Sequence, residues 1–334
     1  MENGTSAINI YNHLKHQILQ RKRIFKRLLW ALAIIFLLMN VIAFFHAYKF
    51  THFTSTRVTK TKASKNLSTG AKMKILLFGI DNPRPENNAT PSQKFETIEL
   101  QSNKKIECWS IKADSSKGTV ILFHGYGGSK SSLIGKSDEF LKMGYSTLLV
   151  DFMGSGGSEG SQTTIGFKEA GEVKSCYDYL TKQPENKIYL FGTSMGGAAI
   201  LKAINDYDIQ PAAIIIECPF ATMYQTTCAR FKTLGIPAFP MAAMLDFWGG
   251  LQNGFWAFSN EPVEYAKSVK CPALLFYGEQ DEKVSRHETD EIYSNLQGIK
   301  QLKTFPLAGH EDYLVKYKQQ WVNEVNKFLK ENEK

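Results

Sequence analysis

The sequence contains few cysteines, few prolines and little charge imbalance outside its N-terminal part. Its 334 residues include five Cys and 11 Pro, and 43% of them are apolar. These numbers exclude a small domain held together by disulfides, and they exclude a disordered chain. No Cys-x-x-Cys pair and no P-loop occur, so zinc-ribbon, thioredoxin-like and nucleotide-phosphate sites are not predicted. The sequence implies no metal and no organic cofactor.

The positive charge of the chain is confined to its N-terminal part. The whole chain has a net charge of +8. Residues 1–74 contain 13 Lys and Arg against one acid, whereas the remaining 260 residues contain 27 bases and 31 acids. Most of the chain is therefore slightly acidic and lacks the basic balance that binding to a nucleic-acid backbone requires. We expect no nucleic-acid partner.

One long apolar run lies inside the basic segment. Residues 28–48 are 21 residues without a formal charge, and as a helix they would span about 31 Å, close to the hydrocarbon thickness of a bilayer. Trp30 and Tyr48 stand at the two ends of the run, where interfacial aromatics are common. A cleaved signal peptide and a wholly buried helix of a soluble protein are the alternatives. The preceding 27 residues are long for the charged region of a signal peptide, and no small-x-small site follows. We predict an uncleaved signal anchor with a single membrane span.

The charges beside this run predict its orientation. Five bases lie within residues 21–27, a denser cluster than on the other flank, and positive charge beside a span favours the cytoplasmic side. The predicted organisation is a basic cytoplasmic leader (1–27), the anchor (28–48), a polar linker (49–94) and an extracytoplasmic, for example periplasmic, domain (95–334). Every candidate catalytic residue lies beyond residue 95, so we expect the anchor only to tether the domain.

From residue 95 onward, short apolar runs alternate with segments of helical periodicity. The predicted strands are 95–100, 106–111, 119–123, 146–151, 188–191, 212–217, 273–277 and 301–305. The predicted helices are 133–143, 166–180, 195–205, 286–296 and 319–330. This alternation indicates an α/β fold with a mostly parallel sheet covered by helices on both faces. Functional residues of such a sheet lie in the loops at the carboxyl ends of its strands.

Two Gly-x-Ser-x-Gly sequences are candidates for a nucleophile elbow. Gly192-Thr193-Ser194-Met195-Gly196 follows a predicted strand and precedes small residues that begin a helix. A sharp strand-to-helix turn needs small neighbours around a serine in a strained conformation. The second match, centred on Ser158, has no strand directly before it, and its glycines indicate a tight turn. We therefore predict Ser194 as the nucleophile.

A serine nucleophile needs a base, and the base needs an orienting carboxylate. Of the seven histidines, four lie in or beside the anchor, and His310 lies in a loop just after the last predicted strand. The strand before it ends in Gly278-Glu279-Gln280-Asp281-Glu282. We predict His310 as the base and Asp281 as the acid, with Glu279 and Glu282 as the alternatives. Serine, aspartate and histidine then occur in the chain order of one sheet-based hydrolase architecture.

An oxyanion intermediate needs two preorganised backbone N–H donors. Met195 directly follows the predicted nucleophile at a helix N-terminus, where the helix dipole also favours negative charge. The loop His124-Gly125-Tyr126-Gly127-Gly128 follows an earlier predicted strand. Tyr126 is the predicted second donor.

Five segments taken together resemble the α/β-hydrolase superfamily, namely HGYGG, DFMGSGGSEG, GTSMGG, GEQDEKV and LAGHED. They are most similar to membrane-anchored bacterial hydrolases of the serine aminopeptidase-like type, from about residue 95 to the C-terminus. The resemblance implies an α/β-hydrolase fold with eight strands and a short helical cap at about residues 219–262. It also implies a structural turn formed by Asp151, Gly154, Gly156 and Ser158. It implies the same oxyanion donors, Tyr126 and Met195, and the same acid, Asp281.

The cap segment predicts the kind of substrate. It contains six Phe, two Trp and one Tyr, which suits an acyl or otherwise hydrophobic group, although the same aromatics are equally expected to pack the cap onto the core. We expect a serine hydrolase that cleaves carboxylic esters of small or lipid-like molecules. A peptidase or amidase with the same triad is the alternative, and it would need an acid for the substrate amine, for which the cap offers Asp246 and Glu261. A non-catalytic binding module is the third possibility, and an intact set of catalytic residues argues against it.

Overall fold

A single eight-stranded sheet forms the centre of the computed structural model, which describes residues 3–54, 68–184 and 187–333. The strand order is β1-β2-β4-β3-β5-β6-β7-β8. Pairs β1–β2 and β2–β4 are antiparallel, and the other neighbours are parallel. The strands are β1 (Glu96–Gln101), β2 (Lys105–Ile111), β3 (Thr119–Phe123), β4 (Ser146–Val150), β5 (Ile188–Thr193), β6 (Ala213–Glu217), β7 (Ala273–Gly278) and β8 (Lys300–Phe305). The predicted mostly parallel sheet is confirmed, and each predicted strand lies within two residues of an observed one.

Helices cover both faces of the sheet, as predicted. The α-helices of the described chain are α1 (Asn3–Thr51), α2 (Thr69–Phe78), α3 (Ile134–Lys142), α4 (Glu169–Thr181), α5 (Met195–Tyr207), α6 (Met223–Leu234), α7 (Met241–Asn253), α8 (Pro262–Tyr265), α9 (Arg286–Asn295) and α10 (Tyr313–Glu331). One buried cluster joins the sheet to α4, α5 and α9, and a second joins its other face to α3 and α10. The central strands are buried on both faces, which explains why their sequences are continuous apolar runs.

The first helix is longer than the predicted span. Within α1, the stretch His13–Thr51 is long and apolar enough to cross a membrane. Its large side chains are mostly exposed, for example Trp30 at 63% and Leu37 at 62%. Such a surface has no favourable contact with water, and a bilayer would cover it.

The C-terminal end of α1 packs against the cap. Ala43, Ala47 and Thr51 are buried. The indole Nε1 of Trp248 in α7 donates to Asn40 Oδ1 at 3.1 Å, and Gln252 Nε2 donates to the carbonyl of Phe44 at 2.8 Å. The expectation that the anchor only tethers the domain is therefore wrong in the structure, because these contacts make the end of α1 part of the folded domain.

The segment predicted as a linker (49–94) has three parts. Residues 49–54 comprise the end of α1 and the residues directly after it, and residues 55–67 lie outside the described residues. The part from residue 68 onward begins with α2. Beyond α2 the chain lies along the domain: Arg84 donates to the carbonyls of Gly160 at 3.2 Å and Gly156 at 2.8 Å, and Ser129 Oγ donates to the Glu86 carbonyl at 2.9 Å. These hydrogen bonds tie residues 84–86 to the loops beside the candidate active site.

Candidate active site

Ser194 stands at the turn between β5 and α5. Its backbone has φ 52° and ψ −110°, a strained conformation that places a side chain at the tip of a sharp turn. Its N–H donates to the Glu217 carbonyl at 2.7 Å. A Cβ on Gly196 would lie 2.4 Å from the Phe123 carbonyl oxygen, so only glycine allows α5 to approach β3 this closely. The glycine after the serine is thus explained by packing, as the motif predicts.

The structure brings Ser194 and His310 together with one of the three candidate acids. His310 Nε2 lies 3.0 Å from Ser194 Oγ, and His310 Nδ1 lies 2.7 Å from Asp281 Oδ2. The Asp281 side chain is fully buried, and its other oxygen accepts from the backbone N–H groups of Lys283 and Val284 at 2.8 and 2.9 Å. Glu279 and Glu282 are exposed. The geometry therefore favours Asp281 among the carboxylates that the sequence left open.

A buried thiol adjoins this chain of hydrogen bonds. Cys218 follows β6 with φ 40° and is fully buried, and its Sγ lies within 4.8 Å of a carboxylate oxygen of Asp281 and a ring nitrogen of His310. Burial lowers the pKa of the His310 imidazole, but Cys218 and Asp281 together outweigh burial, so this pKa lies above its ordinary value. Cys218, Asp281 and His310 carry atoms of the kind that ligate metal ions, but the imidazole and the carboxylate form a hydrogen bond with each other. We assign no metal to them.

The glycine-rich loop after β3 lies beside the elbow. Gly125, Tyr126 and Gly127 line the same cavity as Ser194 and Met195. Met195 is the first residue of α5, where backbone N–H groups have no partner within the helix. The Tyr126 hydroxyl donates to the carbonyl of Phe50 at 2.8 Å. This contact anchors the loop to the end of α1, which the sequence did not suggest.

Ser158, the rival elbow serine, is buried in a structural turn. Its Oγ donates to the Asp151 carbonyl at 2.7 Å and accepts from the Glu107 N–H at 2.8 Å. Gly156 has φ 49°, and a Cβ there would lie 1.8 Å from Asp151 Oδ2. The geometry matches the turn that the family resemblance implies, and it leaves Ser158 without access to substrate.

Two further histidines of the domain lie away from the Ser194 hydroxyl. His124 is buried, with Nδ1 2.8 Å from the Gly125 carbonyl and Nε2 accepting from the Phe152 N–H at 3.1 Å. Burial lowers its pKa despite the nearby Asp151 carboxylate, so the neutral ring connects the two loops. The His287 side chain is 78% exposed.

A cavity of about 860 Å³ opens in front of Ser194 and His310. Its walls include residues that sequence reasoning did not select: Phe53, Arg84, Glu86, Arg230 and Glu311. Phe53, Arg84 and Glu86 come from the segment predicted as a linker, and nothing in its mostly polar composition indicates such a role. Of the two cap acids considered for amine binding, Asp246 lines a second cavity and Glu261 lines neither.

Comparison with known proteins agrees with the observed fold. Residues 114–245 match the model of the family described as serine aminopeptidase, S33. The chain is 23% identical over 228 residues to the uncharacterised protein YqkD of Bacillus subtilis, covering 67% of this chain and 75% of that protein. It is 26% identical over 235 residues to the uncharacterised membrane protein YNL320W of Saccharomyces cerevisiae, covering 69% and 78%.

Solved structures share the architecture. The Pyrococcus furiosus esterase Pf2001 superimposes with a TM-score of 0.61 at 24% identity, covering 75% of this chain and 99% of that one. Similarity at this level of identity shows a shared fold only. The chain is a hydrolase with the α/β-hydrolase fold.

Proposed function

We propose that this protein is a serine esterase that cleaves carboxylic esters through an acyl-enzyme, with Ser194, His310 and Asp281 as its catalytic residues. The observation that carries the proposal is the hydrogen-bonded chain from Ser194 Oγ to His310 Nε2 at 3.0 Å and from His310 Nδ1 to Asp281 Oδ2 at 2.7 Å. A nucleophile, a base and an orienting acid at these distances are the requirements of this chemistry.

The acylation half-reaction follows from the positions of these groups. Ser194 Oγ attacks the ester carbonyl carbon while its proton moves to His310 Nε2, and the carbonyl oxygen becomes an oxyanion. The backbone N–H groups of Tyr126 and Met195 donate to this oxyanion, which is stabilised more than the ground-state carbonyl. Asp281 holds the imidazole in the required tautomer and stabilises the imidazolium. The C–O bond to the leaving group breaks, and His310 donates its proton to the departing alkoxide.

Deacylation uses the same groups with water as the nucleophile. His310 takes a proton from water, and the hydroxyl oxygen attacks the acyl carbon. The second oxyanion collapses, the bond to Ser194 Oγ breaks, and the serine regains its proton from His310. The products are a carboxylic acid and an alcohol, with no net redox change.

Two features support an ester rather than a peptide substrate. The solved structures that share the fold include esterases. The cap acids lie outside the cavity wall around Ser194. The peptidase alternative is favoured by the family model's description and by Glu86 and Glu311, two carboxylates in that wall that could face a substrate amine.

The test uses the full-length protein in detergent. We expect a fluorophosphonate probe to label the wild type and not Ser194→Ala. We also expect p-nitrophenyl acetate to be hydrolysed by the wild type and not by Ser194→Ala. Ser158→Ala is the matched control for labelling, because it removes the other Gly-x-Ser-x-Gly serine. Absence of labelling would support a non-catalytic binding module, and faster cleavage of aminoacyl p-nitroanilides than of esters would support the peptidase.

We further propose that α1 anchors the enzyme with its N-terminus in the cytoplasm and the hydrolase domain outside. The long apolar helix and the bases at residues 21–27 support this orientation. Protease added to intact spheroplasts is expected to digest the domain. Protection of the domain until the membrane is broken would contradict the orientation.

A further inference from the structure

A second cavity, of about 150 Å³, lies beneath the cap. Its surface is predominantly apolar, although His46, Arg230 and Asp246 also line it. Its walls come from α1, α2, α6 and α7 and from connecting segments of the chain. They include Ala47 and Phe50 of α1, Ile75 of α2, Phe231 of α6 and Leu245 of α7. Apolar cavities of about this size stay dry and bind small hydrocarbons. The cavity is therefore suited to a hydrocarbon chain.

The second cavity adjoins the one in front of Ser194. Five residues line both: Ile80, Ile165, Thr226, Arg230 and Leu234. The guanidinium of Arg230 lies 3.7 Å from the centre of the Phe50 ring and 5.5 Å from that of Tyr126. This stack holds the end of α1, the cap and the predicted oxyanion loop together where the two cavities meet.

The cap helix that closes this cavity reaches down the side of α1. Trp248 contacts Asn40 and Phe44, and Asn40 lies eight residues before Tyr48, the predicted interfacial residue, or about 12 Å deeper along a helix. The one charged residue of α7, Asp246, is buried and accepts from Thr227 Oγ1 at 2.6 Å. On the outer side of α7, Leu251 is 60% exposed and Phe247 is 40% exposed. A helix with this apolar outer face fits the hydrocarbon edge of a bilayer rather than water.

We propose that the cavity between α1, α2, α6 and α7 is an acyl-chain site, and that the substrate is a long-chain acyl ester taken from the membrane that α1 spans. The inference rests on the proposed esterase function and anchor. The ester carbonyl is held at Ser194, and the acyl chain passes Arg230 and Leu234 into the apolar cavity. Because the membrane helix itself forms one wall, the chain moves from the lipid phase into the site without crossing water.

The test compares two Leu→Trp variants on the same helix. Leu245 lines the cavity, whereas Leu251 lies on the outer side of α7 and lines neither cavity. With full-length protein in mixed micelles, kcat/KM is measured for p-nitrophenyl acetate and p-nitrophenyl palmitate. We expect the wild type to prefer palmitate. If the indole of Leu245→Trp displaces about four methylenes, at about 0.8 kcal/mol each, the palmitate-to-acetate ratio is expected to fall about 200-fold. In Leu251→Trp the ratio is expected to be unchanged.

A second pair of variants, in α1, tests the same cavity without changing a cap residue, in case Leu245→Trp misfolds the cap. Ala47 of α1 lines the cavity and is buried, whereas Ala31 lies on the exposed part of α1. Ala47→Leu is expected to lower the palmitate-to-acetate ratio, and Ala31→Leu is not. Equal ratios in wild type, Leu245→Trp and Ala47→Leu, with acetate turnover intact, would overturn the acyl-chain site. Absence of Ser194-dependent acetate turnover in the wild type would instead overturn the proposed function.

Discussion

Replacing Lys130 with methionine is expected to destabilise the hydrolase domain more than any surface substitution would. The Lys130 side chain is fully buried, and its Nζ forms ion pairs with Asp151 Oδ2 and, at 2.6 Å, with Glu107 Oε1. Nζ also lies 4.3 Å from the centre of the Trp109 ring. Methionine keeps most of the apolar part of the side chain but removes the ammonium group, so the Asp151 carboxylate stays buried without its cation.

The size of the effect follows from leaving that carboxylate unpaired. Removing one partner of a buried ion pair costs about 3–5 kcal/mol. Asp151 keeps hydrogen bonds from the backbone N–H of Lys130 at 2.6 Å, from that of Gly157 at 2.8 Å and from Asn87 Nδ2 at 2.8 Å, which favours the lower end. At about 2–4 °C per kcal/mol for a domain of roughly this size, Tm is expected to fall by about 6–12 °C at pH 7.

The loss of stability in Lys130→Met is expected to depend on pH. Burial raises the pKa of the Asp151 carboxyl, but the charge of the Lys130 ammonium and the hydrogen bonds from Lys130 outweigh burial and hold the pKa below its ordinary value. In the wild type this stabilisation is present above the unfolded pKa, about 3.9, and is lost as the pH falls through the folded pKa. Without Lys130 the folded pKa rises above the unfolded value, so the ionised carboxylate destabilises the fold at neutral pH and protonation relieves it.

The assay is thermal unfolding of both proteins in the same detergent, followed by circular dichroism between pH 4.5 and 7.5. The Tm difference between wild type and Lys130→Met is expected to shrink toward pH 4.5. Adding Asp151→Asn to Lys130→Met is expected to recover part of the loss, because the unpaired charge is then gone. A variant within about 1 °C of the wild type at pH 7, or a difference that grows in acid, would refute the reasoning.

Three further outcomes are expected. Asp281→Asn should lower kcat by about 10⁴-fold through the wrong imidazole tautomer, while Glu282→Gln stays near wild type; the reverse result would assign the role of the acid to Glu282. Cys218→Ala should retain activity and move the acidic limb of kcat/KM to lower pH, because a group that raises the pKa of His310 is removed; an unmoved limb would show that the thiol does not act on the base. Removing residues 1–54 should lower ester kcat/KM in the same detergent, since the deleted segment forms part of both cavity walls; unchanged kcat/KM would show that these wall residues do not affect turnover.

Signals carried by neighbouring residues were sufficient to predict the architecture. Short runs rich in apolar and β-branched residues identified all eight strands. The central strands, such as β3 and β6, have continuous apolar runs because they are buried on both faces. Gly196, two residues after Ser194, predicted a turn into α5, since the close approach of α5 to β3 excludes a side chain there. The same local reading predicted the membrane-length helix, for hydrocarbon thickness translates directly into a number of apolar residues.

Contacts between distant residues were decided only by the tertiary structure. Three carboxylates follow β7 in sequence, and the fold alone brings Asp281 to 2.7 Å from a histidine 29 residues away. Cys218 lies beside that histidine, and Lys130 beside Asp151, because separate strands end at the same edge of the sheet. The end of α1 lines the second cavity, and Phe53 just beyond it lines the cavity in front of Ser194. This segment is positioned by packing against a cap helix some 200 residues later in the chain, at Trp248. A sequence pattern records which residues are apolar, but the partner that covers each of them depends on the path of the whole chain.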